Sequence, residues 1–398
     1  MPNQIMNILI DIGHPAHVHL FRNFAHIMIG RGHRVLFTCR DKEFEIELLK
    51  ANGFEYVSFG KKYKSTVGKI YGMFKFDYLE WKECGRFKPD ILLSHGSIYA
   101  AHAAAIIRKP HIAFDDTYNM EQIRLYEPFS NVLLTADYDH PKISNKEIHY
   151  AGYHELAYLH PNYFKPDPSV LEELGVEKGE KYVLFRFVAW NASHDVGHKG
   201  ISYDIKMKAV ERLSKYARVF ISSESKLPSE LENYRLTTRP ERIFDVLAYS
   251  SLVWGESFTI PAEASILGIP SVINHNTKSY YLYDQQDRYG LCFCYSESAE
   301  DQERALRKCE ELLQMDKNEL RNEWKNKREK LLQSKIDVTA FLTWFIENYP
   351  ESITIMKENP DYQYRFGNQP VVKAVPLTGG GISLEQHSSL NPTQGTTD

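Results

Sequence analysis

The sequence has little cysteine and no sign of paired cysteine. Five residues, Cys39, Cys84, Cys292, Cys294 and Cys309, lie along 398 positions without a C-x-x-C pair. An odd and scattered set argues against a disulfide framework and against zinc-ribbon spacing, and reads as reduced thiols inside a cell. Long apolar runs are also lacking, since no window long enough to span a bilayer is free of charge. The first residues run directly into an apolar strand, Ile5 to Asp11, without the basic-then-apolar order of a secretory signal. Charge of one sign is not in excess either: a formal net charge of −4 gives no field that would draw nucleic acid or an acidic polymer. The expectation is a soluble, cytoplasmic protein that has no nucleic acid as partner. Contact with the inner face of a membrane is left open.

What is present is a strand–helix alternation, twice over. Ile5–Asp11 and Arg34–Cys39 are short apolar strands flanking a helical pattern from Val18 to Gly30. Helix Lys42–Asn52, strand Tyr56–Phe59, strand Asp90–Ser94, an Ala-rich helix Tyr99–Arg108 and strand His111–Phe114 continue the series. After a Pro-rich, polar stretch at Tyr163–Ser169 the alternation restarts at Tyr182–Phe185. It runs through helix Ile205–Tyr216, strand Ala217–Ser222, helix Ile243–Ser250, strand Leu252–Trp254, helix Pro261–Leu267 and strand Ser271–Ile273. A long polar helix, Ala299–Ser334, and a last helix, Val338–Asn348, close the series. Alternation of this kind means parallel βαβ units in doubly wound sheets. Two such sheets in one chain place a ligand in a central cleft, outside the carboxyl ends of their strands.

Four loops face that cleft. The first, Gly13–His19, carries three histidines before a helix. His-x-x-His-x-His on a turn does not fix a tetrahedron, so no metal is expected. A histidine at a helix start suits general-base work, with capping as the plain alternative for His14 and His17. The second region ends two strands: His95-Gly-Ser97, and Asp115-Asp116, whose carboxylates can orient a histidine, meet sugar hydroxyls or cap the next helix. The third, Phe185–Gly200, crowds Arg186, Trp190, His194 and Lys199 with two glycines, a composition that suits a diphosphate. The fourth, Trp254–Pro270, is a strand, a turn and a helix whose start would hold phosphate at Ser257 and Thr259, beside Glu256. Pro261 fits the first helical turn, and Glu263 projects where a carboxylate can accept two ribose hydroxyls.

These segments resemble known families. Ala16-His17-Val18 through Gly32–Val35 is similar to the first loop of GT-B glycosyltransferases, with Ala16 where their glycine stands; the resemblance selects His17 as the acceptor-activating base. In those enzymes the element matching Ser257–Pro270 holds the ribose through the glutamate, here Glu263. Lys88–Ser97 resembles the non-hydrolysing UDP-N-acetylglucosamine 2-epimerases, in which a catalytic Asp follows His-Gly; Ser97 stands there instead, which counts against epimerisation. Phe114–Thr117, Tyr158–Tyr163, Arg186–Gly200 and Gly255–Ser257 resemble the DUF354 family from about Asn7 to Asn348.

The resemblance implies an α/β, GT-B-like fold of two doubly wound Rossmann-type domains. Residues 1–165 would form the N-terminal acceptor side and 166–335 the C-terminal nucleotide-sugar side. A return helix over 336–350 and a disordered tail over 351–398 would follow. It implies metal-independent transfer from a nucleotide-diphosphate sugar to an acceptor in cell-surface polysaccharide biosynthesis, without a cofactor. His17, with His14, Asp115 and Asp116, would do the proton chemistry. Glu263, Ser257, Thr259, Glu256, Arg186, His194 and Lys199 would hold the donor. The alternatives are a UDP-sugar 2-epimerase or hydrolase, and a non-catalytic nucleotide-sugar-binding protein. Basic and aromatic residues alternate from Lys61 to Trp81, a pattern that could reach a lipid-linked glycan acceptor at a membrane surface.

Overall fold

In a computed structural model of the chain, residues 5–41, 44–61, 63, 65–177, 179–188, 200–223 and 226–367 are described. The first half contains strands β1 (Asn7–Ile12), β2 (Arg34–Asp41), β3 (Tyr56–Lys61), β4 (Ile91–His95), β5 (His111–Phe114), β6 (Val132–Ala136) and β7 (Glu147–Tyr150). Its helices are α1 (Pro15–Gly30), α2 (Glu45–Ala51), α3 (Thr66–Phe87), α4 (Ile98–Ile107) and α5 (Met120–Tyr126). The sheet is parallel with order β3-β2-β1-β4-β5-β6-β7. Strands covered by helices on both faces read as unbroken apolar runs. In β1, Ile8, Leu9, Ile10 and Ile12 are all fully buried. The expectation stops at β5. Strands β6 and β7 extend the sheet, and β7 is short and polar at alternate positions, which hides it from a search for apolar runs.

Two short helices, α6 (Leu156–Leu159) and α7 (Val170–Glu173), lead to the second sheet. Its strands are β8 (Tyr182–Phe187), β9 (Arg218–Ser223), β10 (Leu252–Gly255), β11 (Ser271–Asn274) and β12 (Cys292–Tyr295), in the parallel order β12-β11-β10-β8-β9. Helices α8 (Tyr203–Leu213), α9 (Ile243–Tyr249), α10 (Thr259–Ile266) and α11 (Tyr280–Tyr289) connect them. In each sheet the strand order reverses once, between β1 and β4 and between β8 and β10. Loops at such a switch point diverge and open a crevice.

The long polar helix expected over Ala299–Ser334 is two helices, α12 (Ala299–Gln314) and α13 (Lys317–Ser334). Asp316 divides them: its carboxylate accepts from the backbone N–H groups of Asn318 (2.8 Å) and Glu319 (3.1 Å), starting a new helix. Helix α14 (Val338–Glu347) returns to the first sheet, capped by Asp337 on Ala340 N at 2.8 Å. Its Thr339 donates to Ala157 O at 2.8 Å, and Val338 sits so close that a Cβ on Gly152 would lie 2.6 Å from it.

The tail expected to be disordered from residue 351 begins instead with α15 (Glu351–Glu358) and a 3-10 helix, Pro360–Phe366. Met356 and Ser352 are buried, and Gln363 accepts from Ala151 N at 2.6 Å, so this segment is fastened to the first half. Residues 368–398 lie outside the described residues. Among the described residues, no helix is long and apolar enough to cross a membrane.

Candidate active site

The switch point of the first sheet supplies one wall of a cavity of about 590 Å³. At the end of β1, Asp11 is fully buried between Thr38 on β2 and Ser94 on β4, its register partners. It accepts from Thr38 Oγ1 at 3.0 Å, forms an ion pair with the buried Arg40 and accepts from the hydroxyl of Ser97. Thr38 Oγ1 also lies 2.9 Å from Glu80 Oε1. One hydroxyl proton cannot serve two carboxylates, so Glu80 carries its own: burial and then the Asp11 charge push it well above the usual carboxylate range. Arg40 sits 4.8 Å over the Tyr99 ring, and Arg40, Ser97 and Tyr99 all line the cavity. The position after His95-Gly96 thus carries no carboxylate of its own but a hydroxyl tied to one from β1.

The three histidines of the first loop do not converge. His14 caps α1, its Nδ1 accepting from Ala16 N at 3.1 Å. His17 Nδ1 accepts from Gly13 N at 3.2 Å, which places the proton of the neutral ring on Nε2. His19 turns away against Tyr158 and Phe244, and burial, with Arg22 and His14 nearby, pushes it down to about 3. Both His14 and His17 line the cavity, with His17 stacked on His95 at 4.4 Å.

Asp116 joins two histidines in the cavity wall. Its Oδ1 lies 2.9 Å from His95 Nε2, and its Oδ2 lies 2.9 Å from His154 Nδ1. Burial works against an ionised Asp116, but attraction and hydrogen bonds from His154 and His95 win, holding it well below the usual range. His95 is raised in turn, since Asp116 outweighs the burial that opposes its charge. His154 turns Nδ1 to Asp116, and its Nε2 is buried without a partner among the described residues. A base with its second nitrogen held by a carboxylate is the arrangement that orients a proton acceptor. Beside it, Glu155 is pushed up to about 8, first by burial and then by the charge of Asp116, so it is protonated at neutral pH. His154, Glu155, His95 and Asp116 all line the cavity.

This corrects the expected pairing, in which Asp115 or Asp116 steadies His17. Asp116 turns to His95 and His154. Asp115 also lines the cavity, but its Oδ1 accepts from Thr117 N (3.0 Å) and Tyr118 N (2.8 Å), and its Oδ2 from Tyr126 Oη (2.7 Å). Gly96, at φ +56°, lets the turn pass the Tyr126 ring, where a Cβ would approach to 3.2 Å.

The second sheet closes the cavity with Phe258, Thr259 and Tyr281. Helix α10 begins there at Phe258, whose side chain does not cap the first N–H groups of the helix. Ser257 is half-buried beside them. Glu263 lies behind the wall, accepting from the lining Tyr158 at 2.8 Å; burial pushes it to about 8, against the pull of Tyr158, Arg186 and Arg22. Glu256 is not offered to a ligand. It is fully buried and ties both ends of the third loop, accepting from Val188 N (3.0 Å) and Ile201 N (2.6 Å) while pairing with Lys206 (2.7 Å). Arg186 donates to Ser222 Oγ at 3.0 Å, at the root of the same loop. Trp190, His194 and Lys199 lie outside the described residues.

Residues 6–289 match the family described as "Protein of unknown function (DUF354)". The chain belongs to this family. Solved structures show how the DUF354 chain is folded. S. aureus MnaA with UDP aligns at 12% identity and a TM-score of 0.63, over 88% of this chain and 98% of that one. The UDP-GlcNAc 2-epimerase of Neisseria meningitidis bound to UDP-GlcNAc aligns at 15% identity and 0.54, over 82% and 100%. The glycosyltransferase SsfS6 of Streptomyces sp. SF2575 aligns at 11% identity and 0.55, over 86% and 100%. No curated protein matches the chain. The fold is the α/β, GT-B-like arrangement of two parallel sheets. Sequence reasoning brings His14, His17, Asp115, Asp116 and Thr259 to one cavity and overlooks His154 and Glu155. Their signal was present as Gly152-Tyr-His-Glu155, a glycine and two ionisable residues directly after a strand.

Proposed function

We propose that this chain transfers a sugar from a nucleotide-diphosphate sugar, with His154 rather than His17 as the base that deprotonates the acceptor. The observation that carries the reading is the Asp116–His154 pair in the cavity wall opposite the start of α10. Asp116 orients the ring and stabilises the imidazolium that forms, while the first N–H groups of α10 receive the departing diphosphate. Glu263 is the group for the ribose, exchanging its Tyr158 hydrogen bond for a sugar hydroxyl. The proposed reaction uses no metal or cofactor. Support comes from the fold, shared with proteins whose structures hold UDP or UDP-GlcNAc. We place the work in the cytoplasm on cell-surface polysaccharide, with a glycan or lipid-linked acceptor. Helix α3 favours a membrane-borne acceptor, because it exposes Tyr71, Phe74, Tyr78 and Trp81. The test is release of nucleoside diphosphate from a panel of UDP- and dTDP-sugars. Wild-type protein should release it, and His154→Ala should lose that release while keeping nucleotide affinity.

One observation favours a second reading, UDP-sugar 2-epimerisation. A protonated Glu155 adjoins the base His154, so an acid and a base stand together without a carboxylate at position 97. Turnover in deuterated water separates the two. Epimerisation places deuterium on a sugar carbon, and transfer does not.

A further inference from the structure

We propose that His140, Glu147 and His149, away from the cleft, form a binding site for a divalent cation of the zinc type. Glu147 and His149 are two apart on β7 and so share a face, opposite the buried Ile148 and Tyr150. The loop from β6 to β7 folds back over that face and brings in His140. One ligand atom from each of the three lies within 4.8 Å of the others.

What marks the cluster is that each residue has one polar atom held from behind and another left over. Glu147 Oε2 accepts from Ile143 N (2.9 Å) and Ser144 N (3.2 Å), whereas Oε1 is buried with no hydrogen-bond partner. His149 Nδ1 lies 3.0 Å from Thr135 Oγ1, and His140 Nδ1 lies 3.0 Å from Pro141 O. The Pro141 carbonyl can only accept, so His140 carries its proton on Nδ1 and keeps Nε2 as the lone-pair nitrogen, while the Thr135 hydroxyl can give or take a proton and anchors the His149 ring from behind, as outer partners of histidine ligands do. The Tyr118 ring lies 4.3 Å from the His140 ring, tilted by 31°, and limits its rotation. Glu147 Oε1 and His140 Nδ1 are 4.0 Å apart, too far for a hydrogen bond, so the carboxylate is not satisfied by the imidazole.

The cleft cluster of His95, Asp116 and His154 differs on this point. Its carboxylate is bonded directly to both rings at 2.9 Å, which leaves no room for an ion between them. Two neutral imidazoles and one carboxylate make a three-ligand zinc set with a fourth position for water. His149 is exposed and gives the ion a way in. Bound there, the ion would fasten the β6–β7 loop to β7, beneath Tyr118, whose backbone N–H holds Asp115 in the cavity wall.

The test uses untagged full-length protein, stripped with a chelator and titrated with Zn²⁺ by calorimetry, with melting temperature as a second readout. Wild-type protein and His154→Ala should each bind one zinc per chain and melt higher with it. His149→Ala, a change at an exposed position, should lose that binding by at least about a hundredfold. Thr135→Ala, which removes only the outer partner, should weaken it by about tenfold to a hundredfold. Failure of the wild type to bind stoichiometric zinc overturns the proposal. So does zinc affinity that survives His149→Ala or disappears in His154→Ala.

Discussion

Asp116 is a single carboxylate shared by two imidazoles, and its replacement separates positioning from charge. Asp116→Asn keeps the volume but can no longer accept from both rings, so His154 loses its carboxylate partner. We expect turnover to fall by about 10²–10⁴-fold with nucleotide affinity little changed, measured as kcat against the affinity for UDP. Glu155 makes a different prediction, in stability. Its pKa rises from 4.5 toward about 8 on folding, with burial as the first cause. Between those values the folded chain keeps a proton that the unfolded chain releases, so stability falls as pH rises through this window and levels above it. Glu155→Gln should therefore match the wild type near pH 5 and exceed it by on the order of a few kcal/mol by pH 9, read from urea melts. Glu263 contributes the same sign and stays in both proteins, so only the difference between them reports Glu155. Residues of this kind are not legible in spacing. His95, Asp116 and His154 come from three strand ends, and only the fold makes them neighbours.

Among the elements, the β10–α10 turn is where sequence and structure agree most closely and where one residue changes its meaning. The turn, the helix start and Pro261 are written in local chemistry, which is why they could be placed from the sequence. Glu256 looks like a ligand in that motif, yet its carboxylate closes the base of the 188–201 loop with two backbone N–H groups and Lys206. Burial alone would discharge it, and Lys206 is the main influence opposing that. Glu256→Gln leaves a mostly buried ammonium without its partner, and we expect a loss on the order of 3 kcal/mol in urea unfolding. Adding Lys206→Met should recover most of it, since the cost lies in the unpaired charge. Strand β7 was illegible for the opposite reason, because half of its side chains are polar and face a loop. Helix α15 was illegible because its few buried residues, Ser352 and Met356, are too sparse to write a periodic face. Ending the chain at Pro350 instead of Gly367 should cost on the order of 3–5 kcal/mol, as buried Met356 and the Gln363–Ala151 bond are lost.

For the whole molecule, two parallel sheets with their switch points turned to one cavity were legible because strands buried on both faces appear as plain apolar runs. What such a fold cannot carry in its pattern is the reaction, which depends on where a proton sits. Binding and chemistry can be tested apart. A nucleotide that fits should stabilise the chain by about 2.7 kcal/mol at a hundred times its Kd, seen as a rise in Tm. The most direct measurement is nucleoside diphosphate release from a panel of UDP- and dTDP-sugars, run side by side on wild type, His154→Ala and His17→Ala in deuterated water. The account predicts release by the wild type without deuterium in the sugar, none by His154→Ala, and retained release by His17→Ala. Release that survives His154→Ala but is lost in His17→Ala would contradict it.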